Sequence, residues 1–172
     1  ERIENIISSR FFEKSFLKVM ELEGGFTLHK NQTESDVTYA GIYRKAHPKW
    51  EGWEYIDKKE TPPTSLVRTF YYEKFYKPFN ELDPQIAYLL FEATVNMGNT
   101  AIKLAQRALG LVDDGTIGPK TKKALLECDK DKFAYSFTIA KIAYYNNLAA
   151  KEQYRPYLRG WINRALKSAE GL

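Results

Sequence analysis

Phe12, Phe16, Val19 and Met20 recur at three- and four-residue spacing, which predicts one buried helical face in a helix from about Ser8 or Ser9 to Glu23. Glu23 falls next on that face, so a carboxylate stands where a core residue is expected. Gly24-Gly25 supplies the backbone freedom that ends a helix and puts Glu23 in its last turn, near the negative end of the dipole. Burial and dipole would together disfavour the charged carboxylate, the condition a general acid needs near neutral pH.

Between Phe26 and Tyr43 the helical period is lost. Polar residues cluster at Lys30-Asn31-Gln32-Thr33 and β-branched or aromatic ones follow at Val37-Thr38-Tyr39, a pattern that predicts a small hairpin or extended lobe. A turn-rich segment runs from His47-Pro48 to Pro62-Pro63 and carries Trp50 and Trp53. Thr64 or Ser65 caps the next helix, through Val67, Phe70, Tyr71 and Phe75, which Pro78 should stop. Asp83-Pro84 opens a strongly apolar helix that ends at Gly98 and carries Glu92 and Asn96 four residues apart. Thr100 to Leu109, Lys120 to Glu127, Lys132 to Ala149 and Tyr154 to Ala169 read as further helices. The fold class is therefore mainly α, six or seven helices with one small sheet.

Composition narrows the classes. The 172 residues suit one compact domain with a small integrated subdomain, and no apolar run reaches the length of a membrane span. A net charge of +4 would favour an anionic polymer without choosing between cell wall and nucleic acid. No Lys/Arg stripe marks a recognition helix, so nucleic acid is not the expected partner. Cys128 is the single cysteine and His29 and His47 the only histidines, which excludes a disulfide framework and leaves too few ligands for a zinc site; neither metal nor cofactor is expected. Aromatics form 15% of the chain, and Tyr39, Trp50 and Trp53 are candidates for stacking on sugars. The two tryptophans could equally pin the long turn-rich segment to the core.

Glu23 on a helix end, facing a short β-lobe with Glu34, Asp36 and Thr38, is the layout expected of a glycoside hydrolase. One acid protonates the leaving oxygen while the second carboxylate, with a hydroxyl, handles water. Taken singly, Asp36 also reads as a turn residue bonding its own backbone, and Thr38 as an ordinary strand residue.

Met20-Glu21-Leu22-Glu23-Gly24-Gly25-Phe26, Thr38-Tyr39-Ala40-Gly41-Ile42 and Phe91-Glu92-Ala93-Thr94-Val95-Asn96-Met97-Gly98 together resemble the glycoside hydrolase family 108 lysozymes. Gln106-Arg107-Ala108-Leu109-Gly110 and Asp114-Gly115-Thr116-Ile117-Gly118-Pro119-Lys120-Thr121 resemble the peptidoglycan-binding-like part that follows in that family. The resemblance implies a lysozyme-like α-helical domain with a small β-hairpin lobe. It divides the chain into a catalytic part over residues 1–98 and a peptidoglycan-binding-like helical subdomain over 99–172.

It further implies hydrolysis of the β-1,4 bond between N-acetylmuramic acid and N-acetylglucosamine in peptidoglycan strands, at the bacterial cell wall. Glu23 would be the catalytic acid in a monomer without stable membrane insertion, and roles in lysis, remodelling or secretion activation are all open. The family carries an Asp followed by Gly-Gly shortly before the Thr, whereas this chain has Gln32-Thr33-Glu34-Ser35-Asp36-Val37-Thr38, with Thr33 at the usual Asp position. Asp36 ranks ahead of Glu34 as its replacement because Asp36 and Thr38 would share one face of a strand. Glu92 and Asn96 match an acid and an Asn of the family, either on the cleft floor or, the favoured reading, tying the first helix to the lobes through buried hydrogen bonds. A silent wall-binding module and a lytic transglycosylase using Glu23 alone are the rival readings.

Overall fold

The computed structural model describes the backbone of residues 2–172 and the side chains from Arg10 onward. It divides into two compact units, residues 1–77 and 78–172.

In the first unit, α1 spans Arg2–Leu22 and begins well before the Ser8 or Ser9 start expected from the apolar spacing. Phe16, Val19 and Met20 are buried as their spacing requires. The helix closes in a Schellman arrangement: the Gly25 N–H donates to Met20 O at 2.7 Å and the Gly24 N–H to Glu21 O at 3.4 Å. Gly24 and Gly25 sit at φ +84° and +78°. Open space surrounds both Cα atoms, so glycine is required there for its backbone and not for room.

Three two-residue strands follow in the order β1 (Leu28–His29), β2 (Thr38–Tyr39) and β3 (Ile42–Tyr43), all antiparallel. Leu28 pairs with Tyr39, and Thr38 with Tyr43. Ala40 and Gly41 form the two-residue β2–β3 loop with φ of +48° and +77°, the signs of a type I′ turn.

The turn-rich segment is more ordered than its composition suggests, since it contains a short helix, α2 (Gly52–Asp57). Arg44 clamps Asp57 through two hydrogen bonds of 2.7 and 2.8 Å and lies over the Trp53 ring. Next, α3 spans Thr64–Tyr71 after Pro63, with no side-chain cap from Thr64 or Ser65. The expected continuous helix to Phe75 instead widens into a π-helical turn, Tyr72–Tyr76, and a 3₁₀ turn, Lys77–Phe79, that contains Pro78. Within this unit Arg68 ties α3 to Glu13 of α1 by a two-pronged pair at 2.6 and 2.9 Å.

The second unit is helical. Asp83 caps α4 (Pro84–Met97) by accepting from the Gln85 N–H at 2.9 Å, and Pro84 fills the first helical position as its missing N–H allows. Ile86 to Ala93 are all buried, which makes α4 a core helix. It packs against α5 (Thr100–Ala108), α7 (Lys130–Leu148) and α8 (Leu158–Ala169), with α6 (Pro119–Glu127) completing the set. The α5–α6 loop is held by Gln106, whose amide nitrogen donates to Asp114, Thr116 O and Thr121 while its oxygen accepts from the Gly115 N–H at 2.9 Å. Eight α-helices stand among the described residues, against six or seven expected; α2 is the addition.

Candidate active site

Glu23 is the C-cap of α1, one residue past its end, with its N–H still donating to Val19 O at 2.9 Å. The stripe of buried residues surfaces here and leaves Glu23 half-buried, not enclosed as the spacing had suggested. Its side chain rests on the β2–β3 turn. A Cβ added to Gly41 would lie 3.2 Å from Glu23 Oε2 and 3.4 Å from Glu23 Cβ, and would overlap the Tyr71 hydroxyl. Gly41 is therefore needed twice, for its positive φ and for the close approach of its backbone to the carboxylate. Tyr71, buried on α3, donates its hydroxyl to Ala40 O at 2.7 Å. Sequence periodicity counts Tyr71 as one apolar residue of α3. The signal that distinguishes it is the choice of Tyr over Phe, because a buried phenol requires a partner.

The hydroxyl of Thr38, 5% exposed on β2, donates to Glu34 Oε2 at 3.1 Å. Asp36 lies outside the strand, and its Oδ1 accepts the N–H of the next residue, Val37, at 2.8 Å. β2 is too short to give Asp36 and Thr38 a common strand face; the loop before it folds Glu34 back onto the threonine. Ser35 and Tyr43 lie 3.1 Å apart through their hydroxyls, a second tie between this loop and β3.

The three aromatic candidates sit together but are not equally accessible. Tyr39 is 4% and Trp53 3% exposed, and the Trp53 Nε1 donates to His47 O at 2.8 Å. Burial also pushes the Tyr39 phenol up. Both rings serve chiefly to pin the turn-rich segment to the core. Trp50 is only partly covered, stacked on Tyr39 with ring centres 6.0 Å apart.

Glu92 and Asn96 meet side chains of α7 and α8. Glu92, 2% exposed, accepts from Arg164 Nε at 2.7 Å and lies 3.6 Å from Lys141 Nζ, while the Tyr145 hydroxyl donates to Asn96. Glu92 is buried and Asn96 half-buried in these contacts, which run to α7 and α8 and not between the first helix and the lobes. Lys141 carries a legible signal: it falls on the four-residue stripe Phe133, Phe137, Lys141, Tyr145, where a core residue is expected.

Residues 16–98 match the family model Glycosyl hydrolase 108, and residues 100–166 match the Predicted Peptidoglycan domain. The solved structure of Brucella abortus SagA is similar over 92% of this chain and 91% of that one, with a TM-score of 0.74 at 21% identity, which shows a shared fold. A search of curated proteins finds no match.

Fold and domain content together define a mainly α, lysozyme-like peptidoglycan hydrolase. Residues 16–98 form a glycoside hydrolase family 108 part and residues 100–166 the peptidoglycan-binding-like part that follows it. No helix among the described residues is long and apolar enough to cross a membrane.

Proposed function

We propose that this chain hydrolyses the β-1,4 bond between N-acetylmuramic acid and N-acetylglucosamine, with Glu23 as general acid and Glu34, held by Thr38, as the group that takes a proton from the attacking water. The observation that carries this reading is the seating of the Glu23 carboxylate against Gly41 of the hairpin whose β2 strand carries Thr38. A short, well-packed lobe thus fixes the acid's position relative to the strand that holds the second carboxylate. Glu23 gives its proton to the glycosidic oxygen as the C1–O bond breaks. Water adds to C1 from the opposite face and loses a proton to Glu34, giving inverted configuration.

Glu34 is preferred to Asp36 because the Thr38 hydroxyl is already spent on it, whereas Asp36 accepts a local backbone bond. Thr38 is accordingly a positioning residue. In this reading residues 1–98 perform the cleavage and residues 99–172 recognise the wall, in a monomer acting at the cell envelope.

Mass spectrometry of muropeptides released from purified peptidoglycan by the wild type and by Glu23→Gln tests it. Reducing muramic acid ends from the wild type, reduced about 10²- to 10⁴-fold in the variant, are expected for loss of a general acid. Anhydro-muramic products would make the chain a lytic transglycosylase, and binding without release a silent wall-binding module. A β-anomer as first product in a proton NMR time course would overturn inversion.

A further inference from the structure

On the first unit, a groove of about 460 Å³ runs beside the segment that leads into α2, floored by Trp50 and Phe70 and edged by Lys49, Glu51, Glu73 and Lys74. Its floor is rigid. Trp50 lies flat over Gly52, where any Cβ would overlap the indole, and meets Phe70 edge to face with ring centres 6.4 Å apart. The π-helical turn Tyr72–Tyr76 supplies the Glu73 and Lys74 edge, and such irregular turns concentrate at functional sites.

The charges on that edge are not mutually spent. Glu73 pairs with Lys77 at 3.0 Å, yet among the described residues Lys49, Lys74 and Glu51 have no ion-pair partner. Lys74 is instead drawn over the groove: its ammonium stands 5.9 Å from the Phe70 ring centre and 3.4 Å from His47 Nδ1. Burial first, and the Lys74 charge second, hold the imidazole below its ordinary pKa, which suits a neutral acceptor for the ammonium. With Glu73 held by Lys77, the groove presents two cations and one anion outside ion pairs over an apolar floor, the complement of a short ligand with carboxylates, an amine and aliphatic carbons.

We infer that this groove binds the peptide stem carried by the wall polymer, whose γ-linked glutamate and diamino acid supply carboxylates and an amine. The inference rests on the proposed reading of the chain as a glycan-cleaving enzyme. Trp50 joins the two regions, since it also stacks on Tyr39, the residue after Thr38 on β2. A stem held there would set which disaccharide lies beside Glu23.

Titration of the whole chain with synthetic L-Ala–γ-D-Glu–meso-diaminopimelate, followed by ¹⁵N NMR, tests this without any turnover. The wild type and Glu23→Gln should show the same saturable shifts at the Trp50 indole and the Lys74 amide. Lys49→Glu/Lys74→Glu, with an unchanged thermal melt, should lose them. Peptide-free glycan strands should leave both signals in place. No shift in the wild type, shifts that survive the double charge reversal, or equal shifts with peptide-free glycan would each overturn the assignment. Because binding is read in the Glu23→Gln protein, failure of the catalytic reading would appear separately, as unchanged glycan release by that variant.

Discussion

Tyr71 donates its hydroxyl to the carbonyl of Ala40 at 2.7 Å, and through that bond α3 holds the β2–β3 turn against the Glu23 side chain. Ala40 is a non-glycine residue at φ +48°, fully buried, so the turn is kept in a conformation its own sequence does not favour.

Tyr71→Phe should therefore cost about 1 to 2 kcal/mol in urea unfolding, because the Ala40 carbonyl is left buried without its donor. Turnover on peptidoglycan should fall by up to about 100-fold with little change in KM, the pattern of a misplaced acid. Gly41→Ala should be worse on both counts, with about 1 to 3 kcal/mol of backbone strain added to overlap with the Tyr71 hydroxyl and crowding of Glu23. A Tyr71→Phe protein with wild-type kcat would show that the turn does not position the carboxylate.

The two candidate water-handling acids separate by kinetics. Glu34→Gln is expected to lower kcat by about 10²- to 10⁴-fold. Asp36→Asn, which disturbs one local turn bond worth about 1 kcal/mol, should stay within about tenfold of the wild type. The reverse order would return the role to Asp36. Thr38→Val should track Glu34→Gln in kcat, since its hydroxyl acts through that carboxylate.

In the second unit, Glu92→Leu removes the buried carboxylate that Lys141 and Arg164 share and should cost about 3 to 5 kcal/mol in urea. Lys141 is different. It is 1% exposed, its Nζ has no hydrogen-bond partner and its distance to Glu92 of 3.6 Å is long, so Lys141→Met is expected within about 1.5 kcal/mol of the wild type or above it.

Burial lowers the Lys141 pKa from its ordinary 10.5, outweighing the attraction of Glu92. Between the lowered value and 10.5 the unfolded chain binds the extra proton, so this residue makes stability rise with pH across that window. Lys141→Met should flatten the rise in urea midpoints measured across the alkaline range. At still higher pH, Tyr76, pushed up to about 12 by burial and then by Tyr72, resists ionisation in the folded chain and draws stability down again. An unchanged alkaline slope in Lys141→Met would count against the buried charge as its source.

Several elements were legible along the chain because their causes are local. Asp83-Pro84 and Gly118-Pro119 mark helix starts through a cap and a proline that needs no donor, and Gly24-Gly25 marks a helix end through positive φ. The buried stripe of α1 and the small sheet also follow from short-range pattern, as does the placement of Glu23 at the helix end. The short α2 escaped because its segment reads as turns, its six residues being held by Trp53 and by the Arg44–Asp57 clamp across the loop. The π turn after α3 escaped because Phe70, Tyr71 and Phe75 keep helical spacing while their rings pack.

Local pattern alone set the mainly α class, the order of most elements, the place of Glu23 at the end of α1 and, through ordered motifs, the family. Tertiary structure decided the partners: Glu34 for Thr38, Tyr71 for the Ala40 carbonyl, Lys141 and Arg164 for Glu92. Periodicity and capping act within one or two turns of chain, whereas these contacts join residues as far as 72 positions apart, and only the folded packing selects which polar groups can satisfy one another.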